Sequence, residues 1–201
     1  MLPRYARNIS RRQVQPNMQS ISPLLSTIYT SIFSSHETLP LSSNMASTPS
    51  TPNLREQIEA TARAFLSAFE EGGAQSDASI INRDVTADCT RHLLPASVPK
   101  AFGLATDSFF DTTSFQDLFG NDIKVLLFKD NIMSNLIVDT EARSAAFTAK
   151  SDVYVRSSGE TYPSECAWFL YFNEDGSKVK RVVEFCEKDA ILKMASDVAA
   201  A

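Results

Sequence analysis

Apolar residues recur every three or four positions at the start of the acidic part of the chain, which is the spacing of one face of an α-helix. This pattern predicts a helix over residues 53–72. Asn53 lies three residues before Glu56, as in an N-terminal capping box, and Gly72 with Gly73 is expected to end the helix. The predicted apolar face consists of Leu54, Ile58, Ala62, Phe65, Leu66 and Phe69.

The next part of the chain carries weaker patterns. A short helix is predicted over residues 77–84, and a helix or a pair of turns over residues 107–120. Residues 85–105 between them are interrupted by Pro95 and Pro99, so we expect this segment to be irregular.

Alternation of apolar and polar residues is typical of β-strands and dominates residues 123–186. A bulge is expected near residues 129–131 of the first strand, and the acidic turn 173–176 is expected to join the last two strands as a hairpin. The predicted strands are 123–139, 144–156, 165–172 and 179–186, followed by a terminal helix over 188–198. Helices followed by four consecutive strands predict an α+β fold, with helices packed on one face of a curved antiparallel sheet.

Charge divides the chain into two parts. Four arginines and a single acid give residues 1–52 a formal charge of +3, which leaves −8 for residues 53–201 of a chain whose total is −5. An acidic domain argues against a nucleic-acid partner, which would require a basic surface. No apolar run approaches the roughly 18 residues of a membrane span, so no membrane partner is expected either.

Residues 1–52 are predicted to be a disordered leader and residues 53–199 a single domain. The leader is rich in Arg and Ser, which is typical of a mitochondrial transit peptide. Two alternatives remain open: an unstructured tail without a targeting function, or a true start of translation at Met45. We therefore expect a cytoplasmic protein, or a mitochondrial one if residues 1–44 act as a targeting signal.

The three cysteines predict neither a disulfide framework nor a metal site. Cys89, Cys166 and Cys186 are odd in number and lack a C-x-x-C spacing, so reduced thiols are expected. We expect Cys166 and Cys186 not to face each other across the predicted hairpin. One domain histidine and scattered acids do not form a metal ligand set, and no glycine-rich phosphate loop is present. The sequence thus predicts no metal and no cofactor.

Three segments carry a resemblance to a known family: ARAFLSAFEEG (62–72), ADCTRHLLPAS (87–97) and YPSECAWFLYFNEDGSKVKRVVEF (162–185). Over about residues 55–190 the chain resembles the SnoaL-like branch of the nuclear-transport-factor-2-like superfamily, in particular fungal members. The resemblance implies a cone made by a bent sheet and the first helices, with a pocket at its wide end. The superfamily includes isomerases, dehydratases, polyketide cyclases and proteins without catalytic activity, so the site must decide the function.

His92 is the only imidazole of the domain and is the first candidate for a general acid or base. Asp88 could orient it. The alternatives are a histidine that merely holds a loop and an aspartate in a turn. Glu184 lies among apolar neighbours in the last strand, and it is either a second proton-transfer group with a raised pKa or the ion-pair partner of a cation such as Arg181. The side chains expected to line an apolar pocket are Trp168, Tyr154, Phe102 and Phe119.

The sequence departs at two points from enzymes of the superfamily that it resembles. Leu93 stands where ketosteroid isomerases of this fold place a catalytic aspartate, with His92 beside it. Scytalone dehydratases need two pocket histidines, whereas this domain has one. Both departures argue against the reactions of ketosteroid isomerases and scytalone dehydratases as the activity of this chain.

Two functions follow from these residues. The first is a cofactor-free isomerase, cyclase or dehydratase acting on a polyketide- or terpenoid-like compound. The second is a non-catalytic protein that binds a small hydrophobic molecule or forms a homodimer through the sheet, with Tyr154, Arg156 and Lys150 in the interface. A deep, closed cavity with His92 and Glu184 both pointing inward would favour the first function, and a filled core or an outward-facing Glu184 the second.

Overall fold

The computed structural model describes residues 53–200, so the predictions for the leader lie outside the described residues. The helices are α1 (Leu54–Gln75), a 3₁₀ helix (Ala78–Asn82), α2 (Ser97–Ala101), α3 (Thr112–Val125) and α4 (Lys188–Ala200). The strands are β1 (Val85–Leu94), β2 (Leu126–Asp139), β3 (Ser144–Val155), β4 (Thr161–Phe172) and β5 (Val179–Cys186). The predicted α+β class is confirmed. None of the helices in residues 53–200 is long and apolar enough to cross a membrane.

Helix α1 begins as predicted and ends later than predicted. Asn53 accepts a hydrogen bond from the backbone N–H of Glu56, whose side chain accepts one from the N–H of Asn53, so the capping box is confirmed. Gly72 and Gly73 lie inside the helix, which ends at Ser76 in a left-handed conformation (φ 55°). The reason is packing, because a Cβ added to Gly72 would lie 2.7 Å from Cε1 of Phe119. This glycine lets α1 and α3 approach closely.

The sheet has five strands in the order β1-β5-β4-β3-β2, one more than predicted. The additional strand is β1, which pairs parallel with β5, while the other neighbours are antiparallel. The prediction of an irregular segment over residues 85–105 is therefore wrong for residues 85–94. A bulge between Val85 and Thr90 interrupts the alternation, and the charged Arg91 occupies a buried position of the strand. Together they interrupt the alternation of apolar and polar residues from which a strand is predicted.

Two irregularities bend β2. The bulge predicted near residues 129–131 is confirmed, with Asp130 at φ 53°. A second irregularity, not predicted, lies between Ser134 and Ile137, with Asn135 at φ 56°. The strand begins at Leu126 because residues 123–125 still belong to α3. Bulges increase strand twist and bending, which curves this edge of the sheet around α1.

The concave face of the sheet packs against α1 and forms the main core. The alternation predicted for β3 is confirmed, since its inward side chains are buried: Ala145, Phe147, Ala149, Val153 and Val155. Helix α3 contributes Phe115, Phe119 and Ile123 to a second cluster, which includes Ala68 and Ile81. Helix α4 packs Met194 and Val198 against Leu126, Val153 and Val155.

The three cysteines are free thiols, as predicted. The expectation that Cys166 and Cys186 do not face each other is wrong, because β4 and β5 align them as cross-strand partners. The physical reason is a register shift between Tyr171 and Phe172, which moves the pairing of the hairpin by one residue. As a consequence Glu184 faces Trp168, two residues from Cys166 along β4.

The contact between α1 and α3 generates a prediction for two adjacent glycines. We expect Gly72→Ala to lower the free energy of unfolding by about 1–3 kcal/mol, because its Cβ would overlap the buried ring of Phe119. Gly73→Ala is the matched control. Its Cβ would meet Leu127 at an ordinary 3.5 Å, so the better helix propensity of alanine should stabilise the protein by up to about 1 kcal/mol. Equal effects of the two substitutions in urea denaturation would contradict this account.

Candidate functional site

A cavity of about 70 Å³ lies inside the cone, between α1 and the concave face of the sheet. Its apolar walls are Leu66, Phe69, Phe128, Ala149, Val153 and Trp168. Its polar lining consists of Asn131, Ser151, Ser164, Cys166 and Glu184. An apolar space with a few polar groups is typical of a small-molecule site. We call this space the main cavity.

Glu184 is the one carboxylic acid among the side chains that line the main cavity. It projects from the inner face of β5 opposite Trp168, and its Oε1 accepts a hydrogen bond from Sγ of Cys166 at 3.6 Å. Burial raises the pKa of Glu184 to about 7, while the Cys166 contact and the charge of Arg91 act in the opposite direction. The carboxyl group can therefore hold or release a proton near neutral pH.

Arg91 is a buried cation on the inner face of β1, with 2% of its surface exposed. Its Nη2 donates to the carbonyl oxygen of Ile81 at 2.8 Å, and its guanidinium lies 4.0 Å from the ring centre of Phe115 and 5.2 Å from that of Phe65. Its Nε and Nη1 have no hydrogen-bond partner among the described residues. Burial lowers the pKa of Arg91 to about 10, so the side chain stays charged at neutral pH.

Arg91 and Glu184 act on each other through space. Arg91 does not line the main cavity, and its nitrogens form no ion pair with Glu184, whose carboxyl group nevertheless experiences its positive charge. Their strands bring them together, because β1 and β5 align Arg91 with Val182 and Leu93 with Glu184 on the same face. A carboxyl group with a pKa near neutrality beside a fixed cation can transfer protons and stabilise negative charge on an oxygen.

His92 lies on the outer face of the sheet and not in the main cavity. Consecutive residues of a strand point to opposite faces, so the inward Arg91 places His92 outside, where it is aligned with Val183. Its Nε2 lies 3.1 Å from Oγ1 of Thr90, and its ring lies 5.5 Å from that of Phe109. Burial, with a smaller contribution from Arg181, lowers the pKa of His92. His92 and Glu184 are thus on opposite sides of the sheet.

The expected pairing of Asp88 with His92 is not present. Asp88 is exposed, and the recorded hydrogen-bond contact of the His92 ring is with Thr90. The bulge between Val85 and Thr90 interrupts the alternation of side-chain directions along β1. A separation of four residues therefore does not bring the side chains of Asp88 and His92 together.

Of the four aromatic residues expected to line the pocket, Trp168 does so. Tyr154 lies between the inward Val153 and Val155 and therefore points outwards, with Nζ of Lys129 5.0 Å from its ring centre. Phe119 is buried behind the cavity, against Phe69 and Phe128, and Phe102 follows α2 outside the cavity. The expectation fails for these three residues because residue type alone does not reveal which face of an element a side chain occupies.

The sequence interpretation missed Arg91, Cys166 as a cavity residue, and Asn131. Arg91 could have been identified if residues 85–94 had been predicted as a strand. Alternation then places Arg91 on the same face as Cys89 and Leu93. No group of three or more potential metal ligands occurs among residues 53–200.

No family model matches the sequence. The monooxygenase nsrS of Aspergillus novofumigatus (strain IBT 16806) is 29% identical over 128 residues, which cover 64% of this chain and 79% of that protein. Among solved structures, the BvnE pinacolase from Penicillium brevicompactum is similar with a TM-score of 0.62 and 24% identity, covering 74% of this chain and 98% of BvnE. PrhC from Penicillium brasilianum NBRC 6234 has a TM-score of 0.58 and 19% identity, covering 74% and 94%. The chain therefore has the SnoaL-like, nuclear-transport-factor-2-like fold that its sequence resembles.

Proposed function

We propose that this chain is a cofactor-free enzyme that rearranges an apolar, oxygen-bearing small molecule by proton transfer, as an isomerase, cyclase or dehydratase does. The observation that carries the proposal is Glu184, a carboxyl group with a pKa of about 7 in an apolar cavity near a buried cation. Perturbed carboxyl groups in clefts are candidates for acid–base catalysis. The name of the similar structure BvnE, a pinacolase, supports a rearrangement.

Each polar group has a distinct role in this proposal. Glu184 exchanges a proton with the substrate, and the thiol of Cys166 fixes the position of Oε1. The positive charge of Arg91 acts through space to stabilise negative charge that develops on a substrate oxygen. Trp168 and Phe69 form apolar walls that exclude water from the reacting centre. The substrate class is a carbonyl or hydroxyl compound of polyketide or terpenoid character.

A second proposal concerns assembly, because an apolar band crosses the outer face of the sheet. Cross-strand alignment places Ile137, Ala146, Phe169 and Val183 in one row, and Phe185 and Leu94 lie in the next. Phe169 is 42% exposed, Phe185 48% and Ile137 68%. Exposed apolar patches mark interaction surfaces, and a two-fold axis pairs such a patch with the same patch of a second copy. We propose a homodimer through this outer band.

The residues expected in such an interface lie outside the apolar rows. Lys150 is on the same outer face, where it forms an ion pair with Glu165 in the row next to Ala167 and Phe185. Arg156 donates to the carbonyl oxygens of Ile123, Leu126 and Gly73 near the end of β3. Tyr154 is close to Lys129 near the end of β3. The proposed interface therefore centres on the outer band, with Lys150 at its border.

The catalytic proposal predicts the effect of removing the carboxyl group. We expect the protein to accelerate the exchange of the α-hydrogens of 2-butanone for deuterium in D₂O near pH 7, and Glu184→Gln to reduce the rate by at least about 100-fold. His92→Gln is the control, because His92 lies on the other face and should retain the activity. Exchange followed by NMR that survives Glu184→Gln, or is lost in His92→Gln, would refute Glu184 as the proton-transfer group.

The raised pKa of Glu184 predicts a pH dependence of stability that requires no substrate. The folded protein binds this proton up to about pH 7, whereas the unfolded chain releases it near the ordinary value of 4.5, so Glu184 makes stability fall as pH rises between these values. Glu184→Gln removes this loss. Relative to the wild type, its free energy of unfolding should rise from pH 4.5 to pH 8 by up to about 3 kcal/mol.

Urea denaturation of both proteins across this pH range measures the difference. Asp122, whose pKa burial also raises to about 7, titrates in both proteins, and its contribution cancels in the comparison. Parallel stability profiles for wild type and variant would show that the carboxyl group of Glu184 is not perturbed by the fold.

The assembly proposal predicts that one charge on the outer band separates the protomers. We expect a dimer in light scattering and native mass spectrometry at micromolar concentration, and a monomer for Phe169→Glu. Ala60→Glu is the matched control, since Ala60 is exposed on α1, on the opposite side of the molecule. A monomeric wild type, or a dimer that persists in Phe169→Glu, would exclude this interface.

A further inference from the structure

A second space of about 40 Å³ lies between α4 and the beginning of β4. We call it the side cavity. Its walls include Tyr162, Pro163, Ala190, Ile191 and Met194. Two residues, Val153 and Ser164, line both this space and the main cavity. The two spaces are therefore neighbours that share a wall.

Strand β4 connects the two cavities along one face. Alternate residues of a strand share a face, and Trp168, Cys166, Ser164 and Tyr162 follow each other in this spacing. Trp168 and Cys166 line the main cavity, Ser164 lines both, and Tyr162 lines the side cavity. At a rise of about 3.3 Å per residue, this face extends over about 20 Å. It passes along both cavities, which Val153 and Ser164 separate.

The main cavity is too small to hold a ring-sized organic substrate by itself. A cavity of about 150 Å³ is the size that accommodates benzene, whereas the main cavity measures about 70 Å³. A compound larger than a short ketone must therefore extend into adjoining space. The side cavity is that space along β4.

The side cavity is suited to an uncharged, apolar group. Its two carboxylates are already engaged, since Glu165 pairs with Lys150 and Glu187 accepts the N–H groups of Asp189 and Ala190 at the start of α4. The remaining walls include Val153, Pro163, Ile191 and Met194, and the hydroxyl of Tyr162 bonds Glu160 and Asp197. A negatively charged group would be repelled, while an alkyl or prenyl chain would bury apolar surface.

We propose that the side cavity is the far end of the ligand site, and that a ligand whose oxygen lies at Glu184 extends an uncharged apolar chain along β4 to contact α4. The inference rests on the proposed function for the position of the oxygen. It adds the apolar chain, and it makes α4 a determinant of specificity. Ala190, Ile191 and Met194 are then the residues that select chain length.

Binding of 2-butanone and 2-decanone tests this proposal with two separate probes. Trp168 is the only tryptophan of the chain, so its fluorescence reports the main cavity, and a ¹³C-labelled methyl group of Met194 reports the side cavity. We expect 2-butanone to change the Trp168 signal alone and 2-decanone to change both. The longer ketone should bind at least about tenfold more tightly, because its chain buries additional apolar surface.

Ala190→Leu fills the side cavity and should abolish most of the preference for 2-decanone while leaving 2-butanone binding unchanged. Ala195→Leu is the matched control, since Ala195 lies on the same helix but lines neither cavity. Equal loss of 2-decanone binding in both variants, or in neither, would overturn the side cavity as the chain site.

The two probes separate this inference from the proposed function. A Trp168 response to both ketones without a Met194 response overturns the side cavity and leaves the role of Glu184 standing. A Met194 response to 2-decanone without any Trp168 response supports the side cavity and overturns the placement of the oxygen at Glu184. If neither ketone changes the Trp168 fluorescence or the Met194 methyl signal, both proposals are overturned.

Discussion

The parallel pairing of β1 with β5 determines which side chains of this protein face the cavity. It aligns Arg91 with Val182 and Leu93 with Glu184, so that a cation and a carboxyl group share the concave face. The same alignment sends His92 to the convex face. Because strand faces alternate with every residue, a slip of one position would exchange Arg91 for His92 and replace a permanent cation with a titrating imidazole. The chemistry of the cone thus depends on the register of a single pair of strands.

Burying Arg91 and Glu184 is costly, and the structure reduces the cost only in part. The carbonyl oxygen of Ile81 and the ring of Phe115 interact with the guanidinium, but Nε and Nη1 are left without a partner among the described residues. Glu184 avoids a buried negative charge by keeping its proton up to about pH 7. Buried polar groups are normally satisfied, and an unsatisfied one calls for an explanation. In the proposed function, the field of the buried cation is used to stabilise negative charge on a ligand in the main cavity.

The elements with strong, uninterrupted periodicity could be predicted from the sequence. Helix α1, the faces of β3 and the strand β5 follow directly from the spacing of their apolar residues. Strand β1 could not be predicted in this way, since a bulge breaks its alternation and Arg91 places a charge on its buried face. In the site, Glu184 was identifiable as a carboxyl group among apolar neighbours. His92 was singled out by its chemistry, which carries no information about the face it occupies.

Alternate side chains of β4 and β5 point to opposite faces of the sheet. The same two strands therefore line the cavity and carry the proposed interface. Trp168 and Glu184 point into the cone, and the alternate residues Phe169 and Phe185 point out to the band that a second copy would cover. Burial of that band would hold these two strands in place, because packed interfaces resist deformation as protein interiors do. Helix α4 borders the side cavity, and its Met194 and Val198 pack against Leu126, Val153 and Val155. The proposed chain site therefore lies between α4 and β4, one of the two strands that carry both the cavity residues and the outer band.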